Sequence, residues 1–258
     1  MVFAGCALFF ALHSDPVIGV PPVSWKLSPF YKKCIMLDGL PIVSSEKVPD
    51  KALFEANRLA KIMLAKCPDA TKAMVKNRVR VAIMAETEQT LDIPEHSDLQ
   101  KAFPETDWNK RARGLGATLE RPAISAAEEN LLRYKTDRYR GESIFIHEFS
   151  HAMMDMGLAY SRKGFSASVT RCFQNAKKMK LWEKTYAETN EHEYWAECVQ
   201  SYFNSNISLA KPNGIHNDIA TPEKLKAYDP EIYAVIESVY GKVSYSWQDD
   251  NVLVPAGR

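Results

Sequence analysis

Hydrophobic and polar positions along the first half of the chain predict a mixture of strands and helices. Residues 79–85 form an apolar run that predicts the clearest strand. Residues 35–43, which are broken by a Gly and a Pro, predict short strands. Asp50 as an N-cap and the good helix formers of residues 51–66 predict a helix. Residues 91–119 are punctuated by Pro and Gly and predict loops.

Helical patterns dominate after about residue 122. Residues 143–157, 166–188 and 190–204 predict three helices. A further helix is predicted over residues 229–241, because this segment opens with Asp-Pro, a strong start signal, and closes with Gly. The second half therefore differs in kind from the first.

Length and composition are those of an ordinary globular protein. A chain of 258 residues with 46% apolar and 25% charged side chains can bury a sizeable core. Together with the order of elements, this predicts an α+β fold in a single domain, residues 20–258. Within it, residues 20–135 form a mixed α/β lobe and residues 136–258 a mainly helical lobe.

The charge balance argues against nucleic acid as a partner. Lys and Arg number 33 against 32 Asp and Glu, a net charge of +1, which does not suit binding to a phosphate backbone. Basic runs at residues 110–113 and 133–140 lie among acidic residues, and we interpret them as solvated surface. No segment has the apolar length of a membrane-spanning helix. The oligomeric state stays open.

The first residues favour secretion. Residues 2–12 are an apolar run of the length found in signal peptides, so residues 1–19 are interpreted as a possible signal peptide. The basic segment usual before such a run is missing, because no Lys or Arg precedes Lys26. A buried N-terminal strand or a truncated start is the alternative. We expect a secreted protein, with a cytoplasmic location as the alternative.

The cysteines fit an oxidising compartment without requiring one. Loss of Cys6 with a signal peptide leaves an even number, and we expect the pairs Cys34–Cys67 and Cys172–Cys198. The alternative is four separate buried thiols. Asn206 opens an Asn-Ile-Ser sequence that can accept a glycan, a weak signal in the same direction.

The strongest chemical signal is an H-E-x-x-H sequence at His147, Glu148 and His151. On a helix, positions four apart lie on one face, so the two imidazoles can converge on one ion with Glu148 beside it. The surrounding residues are apolar nearly all the way round and predict a buried helix. A metal would satisfy the three polar groups. The alternative is two core histidines bonded to carbonyls, with Glu148 paired to a basic residue.

A third metal ligand must come from another part of the chain. The metzincin pattern is excluded, because Met154 and Gly157 occupy the positions of its Gly and third His. Asp155 lies roughly 12 Å along the helix axis from His147 and drifts round the helix, so it cannot share the ion.

The helix predicted at residues 190–204 offers that ligand. Capping by Asn190 puts Glu193 and Glu197 on one face, one turn apart. We expect Glu193 to bind the metal and Glu197 to orient a ligand histidine from behind. Alternatively, Asn190 and Glu193 form a capping box and Glu197 faces solvent. Two neighbours are lesser ligand candidates, Glu191 and His192.

These motifs resemble the catalytic domain of the anthrax lethal-factor-like zinc peptidases, in the gluzincin group. The similarity covers about residues 141–204, with a His-Glu-Phe-x-His-Ala core, then Tyr-Ala-Glu-Thr-Asn and Glu-Tyr-Trp-Ala-Glu some forty residues on. It implies one Zn²⁺ per chain bound by His147, His151 and Glu193. It also implies Glu148 as catalytic base and Tyr186 as the phenol that faces the substrate carbonyl.

The resemblance implies a zincin-like metalloendopeptidase that cleaves peptide or protein substrates, with the zinc site between the two lobes. As in zincins generally, we expect an edge strand above the site to pair with substrate, from residues 79–85 or 122–125. The large recognition domains of the toxin have no counterpart in this length, and Cys198 stands where a small residue is expected. Two alternatives are a zinc hydrolase acting on a non-peptide amide or ester, and a catalytically silent zinc- or peptide-binding module.

Overall fold

A five-stranded mixed sheet organises the first half of the fold in the computed structural model, which describes residues 16–243 and 245–249. The sheet order is β1-β2-β3-β5-β4, and the three central strands run parallel. The two outer strands are antiparallel to their neighbours. The strands are β1 (Lys33–Leu37), β2 (Leu40–Ser44), β3 (Arg80–Met84), β4 (Gly114–Leu115) and β5 (Ala123–Ala127).

Helices pack against this sheet and make up most of the second half, so the α+β class is confirmed. They are α1 (Asp50–Leu64), α2 (Pro68–Lys76), α3 (Leu99–Ala102), α4 (Trp108–Arg111), α5 (Glu128–Leu131), α6 (Ile144–Ala152), α7 (Ala159–Ser161), α8 (Phe165–Lys178), α9 (Glu191–Tyr202), α10 (Pro222–Tyr228) and α11 (Pro230–Tyr240). Between α6 and α7 the chain forms a π-helical segment, Met153–Leu158.

The strand predictions are confirmed, because residues 79–85 contain β3 and residues 35–43 cover most of the β1–β2 hairpin. The hairpin turns through Asp38 and Gly39, whose φ angles are 48° and 88°. Two central residues with positive φ give the turn twist that antiparallel strands favour. The break in the sequence pattern is therefore a tight turn.

Each face of the sheet has its own apolar cluster. Along β3, Val81 and Ile83 join the main core with the helices, while Ala82 and Met84 join a smaller cluster on the other face. This alternation follows from the two-residue period of a strand. Because both faces are covered, β3 is buried from Val81 onward.

Helix α6 lies in the main core, where the apolar pattern predicted it. It contacts β4 and β5 of the sheet and also α9. Its buried residues include Phe145 and Phe149, whose rings stack with centroids 5.4 Å apart. The indole of Trp195 on α9 donates to the carbonyl oxygen of Ser150 at 3.0 Å. This contact fixes α9 against α6.

Two helix boundaries differ from prediction. The helix expected over residues 166–188 ends at Lys178, because Trp182 adopts a φ of 64° and its indole donates to Asp229 at 3.0 Å. Asp50 is not an N-cap: Pro49 holds that position and the Asp50 carboxylate bonds Lys33 at 2.6 Å. The last predicted helix is confirmed as α11, with Asp229 capping its first turn.

The expected disulfides are wrong, because the four described cysteines are free and buried. Cys34 lies in the smaller cluster and Cys67 in the main core, on opposite faces of the sheet, so they cannot pair. Cys172 and Cys198 both lie in the main core as thiols. Burial raises the pKa of the Cys34 and Cys172 thiols to about 11, which keeps them protonated.

The fold does not support two sequence features that favoured secretion, the glycan acceptor sequence and the possible signal peptide. Asn206 is buried and its amide donates to Glu197 at 2.8 Å, which is incompatible with a glycan on the folded chain. Most of the possible signal peptide, residues 1–15, lies outside the described residues. Gly19 pairs through its backbone with Cys34 of β1. In the part of the chain that is described, no helix is long and apolar enough to cross a membrane.

Candidate metal centre

Helix α6 brings two imidazoles together one turn apart. Its first turn is capped by Ser143, whose hydroxyl accepts from the backbone N–H of Ile146 at 3.3 Å. His147 and His151 then share one face, and their Nε2 atoms are 3.1 Å apart. The H-E-x-x-H sequence is thus helical, as predicted from its spacing.

Glu193 of α9 closes the cluster. Its Oε2 lies 3.1 Å from Nε2 of His147 and 3.2 Å from Nε2 of His151. In tetrahedral zinc sites the bonds are about 2.0–2.1 Å long, which separates ligand atoms by roughly 3.3–3.4 Å. The three atoms therefore have the spacing that a shared small cation requires. Among the described residues, they form the one group of three or more His, Cys, Asp or Glu side chains placed to hold a metal.

The hydrogen bonds of His147 point its free nitrogen at the cluster. Oε1 of Gln200 lies 2.7 Å from Nδ1 of His147, and an amide oxygen only accepts, so Nδ1 carries a proton. The amide orientation is set by its nitrogen, which donates to Glu142 and to the carbonyl of Ser143. In the neutral ring, Nε2 then presents its lone pair to the Glu193 carboxylate. Such an arrangement needs a cation between them, a proton or a metal.

The pKa shifts of His147 and Glu193 also indicate that the cluster favours a positive charge. Burial lowers the pKa of His147, but the carboxylates of Glu193, Glu148 and Glu197 outweigh burial and raise it to about 10. Burial raises the pKa of Glu193, yet the two histidines bring it well below its usual range. The Glu193 carboxylate is therefore ionised, and the carboxylates around His147 favour a positive charge at this position.

Helix α9 positions Glu193 through its cap. The Asn190 side chain accepts from the backbone N–H groups of His192 and Glu193, at 2.9 and 3.0 Å. The Glu193 carboxylate faces the histidines, so only the Asn190 half of a capping box is made. His192 bonds Asp155 at 3.1 Å and is half-exposed, and neither it nor Glu191 belongs to the cluster.

The group directly behind His147 is Gln200 and not Glu197, which corrects the expected arrangement. The nearer carboxylate oxygen of Glu197 is 3.8 Å from Nδ1 of His147, beyond hydrogen-bonding range. The other oxygen accepts from Asn206 at 2.8 Å. Gln200 lies two helical turns after Glu193, on the same face, and this spacing was the signal that could have found it.

Glu148 lies beside the cluster, half-buried under β4. Burial raises the pKa of its carboxyl, although His147 and His151 lower it. A carboxyl with a raised pKa beside a cation-binding cluster suits a group that takes up and releases a proton.

Strand β4 passes close above α6, and two glycines allow this approach. A Cβ atom at Gly114 would lie 2.5 Å from Cγ2 of Ile144, and one at Gly116 would lie 3.0 Å from Cβ of His151. Both stretches expected to form the edge are wrong, since β3 and β5 each have a strand on both sides. The two-residue strand β4 is the edge that overlies the cluster.

Tyr186 reaches the cluster from a short 3-10 turn before α9. Its hydroxyl donates to Oε1 of Glu193 at 3.1 Å, and its backbone N–H bonds the carbonyl of Ile215 at 2.9 Å. Burial, followed by the charge of Glu193, raises the pKa of this phenol. The hydroxyl therefore remains protonated and can donate.

The basic run at residues 110–113 is not simply solvated surface. The Tyr186 phenol raises the pKa of Arg111 at the end of α4, while burial lowers it. Arg113 forms a bidentate pair with Glu129, at 2.6 and 3.0 Å. Composition alone gave no signal for either interaction, because both partners are distant in sequence.

No protein-family model matches the chain, and a search of curated proteins finds no significant relative. The chemistry of the centre therefore follows from its own residues. Two imidazoles and one carboxylate suit zinc, which prefers nitrogen and oxygen ligands of this kind. The ligand side chains are 10%, 12% and 18% exposed, so the cluster has a side open to solvent.

Proposed function

We propose that the protein is a zinc metallopeptidase of the gluzincin type, with His147, His151 and Glu193 as the ligands of one Zn²⁺. The observation that carries this proposal is the convergence of three ligand atoms at 3.1–3.2 Å from one another. A proton could neutralise such a cluster, but it would leave the adjacent Glu148 and Tyr186 without a chemical role.

The arrangement of elements supports a zincin-like fold with the site between two lobes. Helix α6 contacts both the sheet, at β5 and the edge strand β4, and the helix α9 of the second half. The two ligand histidines come from α6 and the carboxylate from α9. A cleft between these lobes would admit substrate from the open side of the cluster.

Zinc bound to two imidazoles and a carboxylate supplies a Lewis acid that acidifies water and polarises a carbonyl group. Glu148 accepts the proton of the attacking water and then delivers it to the leaving amine. Burial raises the pKa of the Glu148 carboxyl, which favours its uptake of the water proton. His147 is kept in the required tautomer by Gln200.

Tyr186 stabilises the oxyanion that forms at the carbonyl oxygen. Its hydroxyl donates to Glu193 in the absence of substrate, and rotation about its C–O bond redirects the proton toward the cleft. Donors of this kind contribute roughly 2.7–4 kcal/mol to transition-state stabilisation.

The position of β4 favours an extended peptide as substrate. A strand edge offers unpaired backbone groups, and a peptide laid along it gains main-chain hydrogen bonds. The glycines of this segment bring that edge close to Glu148 and His151. A small ester or amide would gain none of these contacts.

The central test is one preparation assayed for metal and for activity. We expect about one zinc per chain in both the wild type and Glu148→Gln, and peptide hydrolysis only in the wild type, with kcat reduced at least about 100-fold in the variant. Unchanged turnover in Glu148→Gln would remove this residue as the base. A parallel panel of small esters and amides separates a peptidase from other zinc hydrolases.

The third ligand is tested by Glu193→Ala beside Glu191→Gln. Both residues lie in the first turn of α9, but only Glu193 belongs to the cluster. We expect zinc loss in Glu193→Ala with the fold retained by circular dichroism, and normal zinc content in Glu191→Gln. Full zinc content in Glu193→Ala would contradict the proposed ligand set.

A further inference from the structure

Two basic runs that are separate in sequence lie together in the fold. The guanidinium of Arg138 donates to the carbonyl oxygen of Lys110 at 2.8 Å, and the hydroxyl of Tyr139 donates to that of Arg111 at 3.4 Å. The guanidinium of Arg138 also lies 5.0 Å from the centroid of the Tyr139 ring. These contacts join the loop at residues 135–141 to α4. Arg111 and Arg138 are both exposed, and together they form a basic patch.

The basic patch carries two guanidinium groups that form no ion pair with any described residue. Lys110 pairs with Asp107 at 2.8 Å, which neutralises the adjacent charge. Asp137, the acid within the loop, is buried. The guanidinium of Arg138 uses one N–H group for the carbonyl of Lys110, and an arginine has five. Both groups can therefore still donate to a ligand that carries negative charge.

The basic patch adjoins the strand that overlies the metal cluster. Arg111 is the last residue of α4, and an extended residue then leads toward β4, which begins at Gly114. Three residues of chain span at most about 11 Å. A Cβ atom at Gly114 would lie 3.1 Å from Cγ of Glu148. The phenol of the site, and then the carboxylates of Glu193 and Glu148, raise the pKa of Arg111, whereas burial lowers it.

We propose that Arg111 and Arg138 bind an acidic side chain of the substrate, so that the protein prefers peptides with Glu or Asp on one side of the scissile bond. This inference rests on the proposed function, in which an extended peptide lies along β4. At about 3.3 Å per residue, the span from Gly114 to Arg111 corresponds to roughly two to four substrate positions from the bond that is cleaved. A guanidinium binds a carboxylate through two parallel N–H groups, whereas a glutamine amide offers a single acceptor oxygen and no charge.

The kinetic test compares cleaved peptides that differ only in Glu or Gln at successive positions on either side of the scissile bond. We expect Glu to raise kcat/KM about tenfold on one side only, the effect of two exposed ion pairs. This preference should fall to about threefold in Arg138→Gln and disappear in the double variant Arg111→Gln/Arg138→Gln. A wild type that cleaves both kinds of peptide equally, or that gains from Glu on both sides, would overturn the proposal.

Charge reversal separates a direct contact from a change of shape. In Arg111→Glu/Arg138→Glu we expect the preference to invert, with Lys favoured over Glu at the same position, because the new carboxylates attract a cation. Arg171→Gln is the matched control, since Arg171 is exposed on α8, which packs against α9 and α11, and the variant loses the same charge. We expect it to keep the wild-type preference. A reversed variant that does not favour Lys, or an equal loss of preference in Arg171→Gln, would contradict binding at the basic patch.

A second readout does not depend on cleavage. Zinc-loaded Glu148→Gln is titrated with a fluorescent peptide that contains a run of Glu, and with its Gln counterpart, and binding is followed by anisotropy. We expect the Glu peptide to bind about tenfold more tightly at low ionic strength, and most of this difference to vanish at about 0.5 M salt, which screens exposed charges. Equal affinities at low ionic strength would overturn the proposal. Tighter binding of the Glu peptide by a wild-type protein that cleaves no peptide would support the basic patch while refuting the peptidase function.

Discussion

At the scale of single residues, the metal cluster is the end of a buried polar chain. His147 bonds Gln200, and Gln200 in turn donates to Glu142 at 3.4 Å. Nε2 of His216 lies 3.7 Å from the other oxygen of Glu142. All four residues are buried, and hydrogen bonds link the first three, whereas Nδ1 of His216 has no hydrogen-bond partner among the described residues. The orientation of His147 therefore depends on residues outside the cluster of His147, His151 and Glu193.

Gln200→Leu tests this dependence. Loss of the amide removes the acceptor at Nδ1 of His147, so the ring is no longer held in the tautomer that leaves Nε2 free. Substitutions of such supporting groups weaken metal binding about 10–100-fold. We expect a loss in this range in competition with a chromogenic zinc chelator, and no loss in Glu191→Gln. Unchanged affinity would mean that Glu197, 3.8 Å away, takes over the bond.

Glu142 predicts a pH dependence of folding stability. Burial, and then the charge of Glu197, raises its pKa from 4.5 to about 7. Because the pKa is higher in the folded state, the protonated carboxyl stabilises the fold. This contribution is complete below about pH 4.5 and is lost as the pH rises through about 7.

Glu142→Gln should remove this dependence. We expect the variant to be more stable than the wild type at pH 8 by up to roughly 3 kcal/mol, from 1.36 kcal/mol per pKa unit, and nearly equal to it at pH 5. The free energy of unfolding in urea at the two pH values measures this. A variant that is less stable at pH 8 would show that ionised Glu142 is stabilised by its partners.

The sequence predicted the three residues of the cluster, but not the residue that orients His147 from behind. His147 and His151 follow from helical periodicity, and Glu193 from the same periodicity on a second helix. Gln200 was missed because its spacing from Glu193 places it on the same helix face without showing that its amide bonds His147. The roles of the predicted residues in zinc binding and catalysis stay predictions.

At the scale of elements, β4 closely approaches α6, the helix that carries His147, Glu148 and His151. Gly114 faces Ile144, and a Cβ atom there would also lie 3.0 Å from the carbonyl oxygen of Ser125 on β5. Backbone atoms cannot move aside as a flexible side chain can. A larger residue would therefore push β4 away from the helix that carries Glu148.

Gly114→Ala is expected to destabilise the protein by about 1–3 kcal/mol in urea unfolding, the usual cost of overpacking a core. Ile144→Ala removes Cγ2, the nearest atom at 2.5 Å, and should recover part of that loss in the double variant. Gly19→Ala is the control, because no atom lies within 4 Å of the added methyl. Equal stabilities of Gly114→Ala and Gly19→Ala would contradict the close approach.

The elements that the sequence predicted are those with strong local signals. Helix α11 has Asp-Pro at its start and Gly at its end, and both boundaries are confirmed. The end of α8 was missed because Lys180, Trp182 and Lys184 adopt positive φ angles without being glycines. Contacts such as that of Trp182 with Asp229 impose this backbone, and local propensity cannot reveal them.

At the scale of the whole molecule, the cluster depends on two helices whose ligands are more than forty residues apart. Composition and element order predicted the α+β class, but not which strands are neighbours, because strand order is set by long-range packing. The two edge-strand candidates failed for this reason. The cluster joins α6, which contacts the sheet, to α9, which contacts α8, α10 and α11. A bound cation would therefore bridge two parts of the fold.

Zinc should accordingly stabilise the entire domain. A ligand that binds only the folded state adds about 4.1 kcal/mol to the free energy of unfolding at a concentration one thousand times its Kd. For a chain of this size we expect Tm to rise on the order of 10 °C with excess zinc and to fall back on chelation. Glu193→Gln should abolish this response, since it removes the ligand charge supplied by α9. A wild-type Tm that ignores zinc, or an equal rise in Glu193→Gln, would mean that these three side chains do not bind zinc in the folded protein.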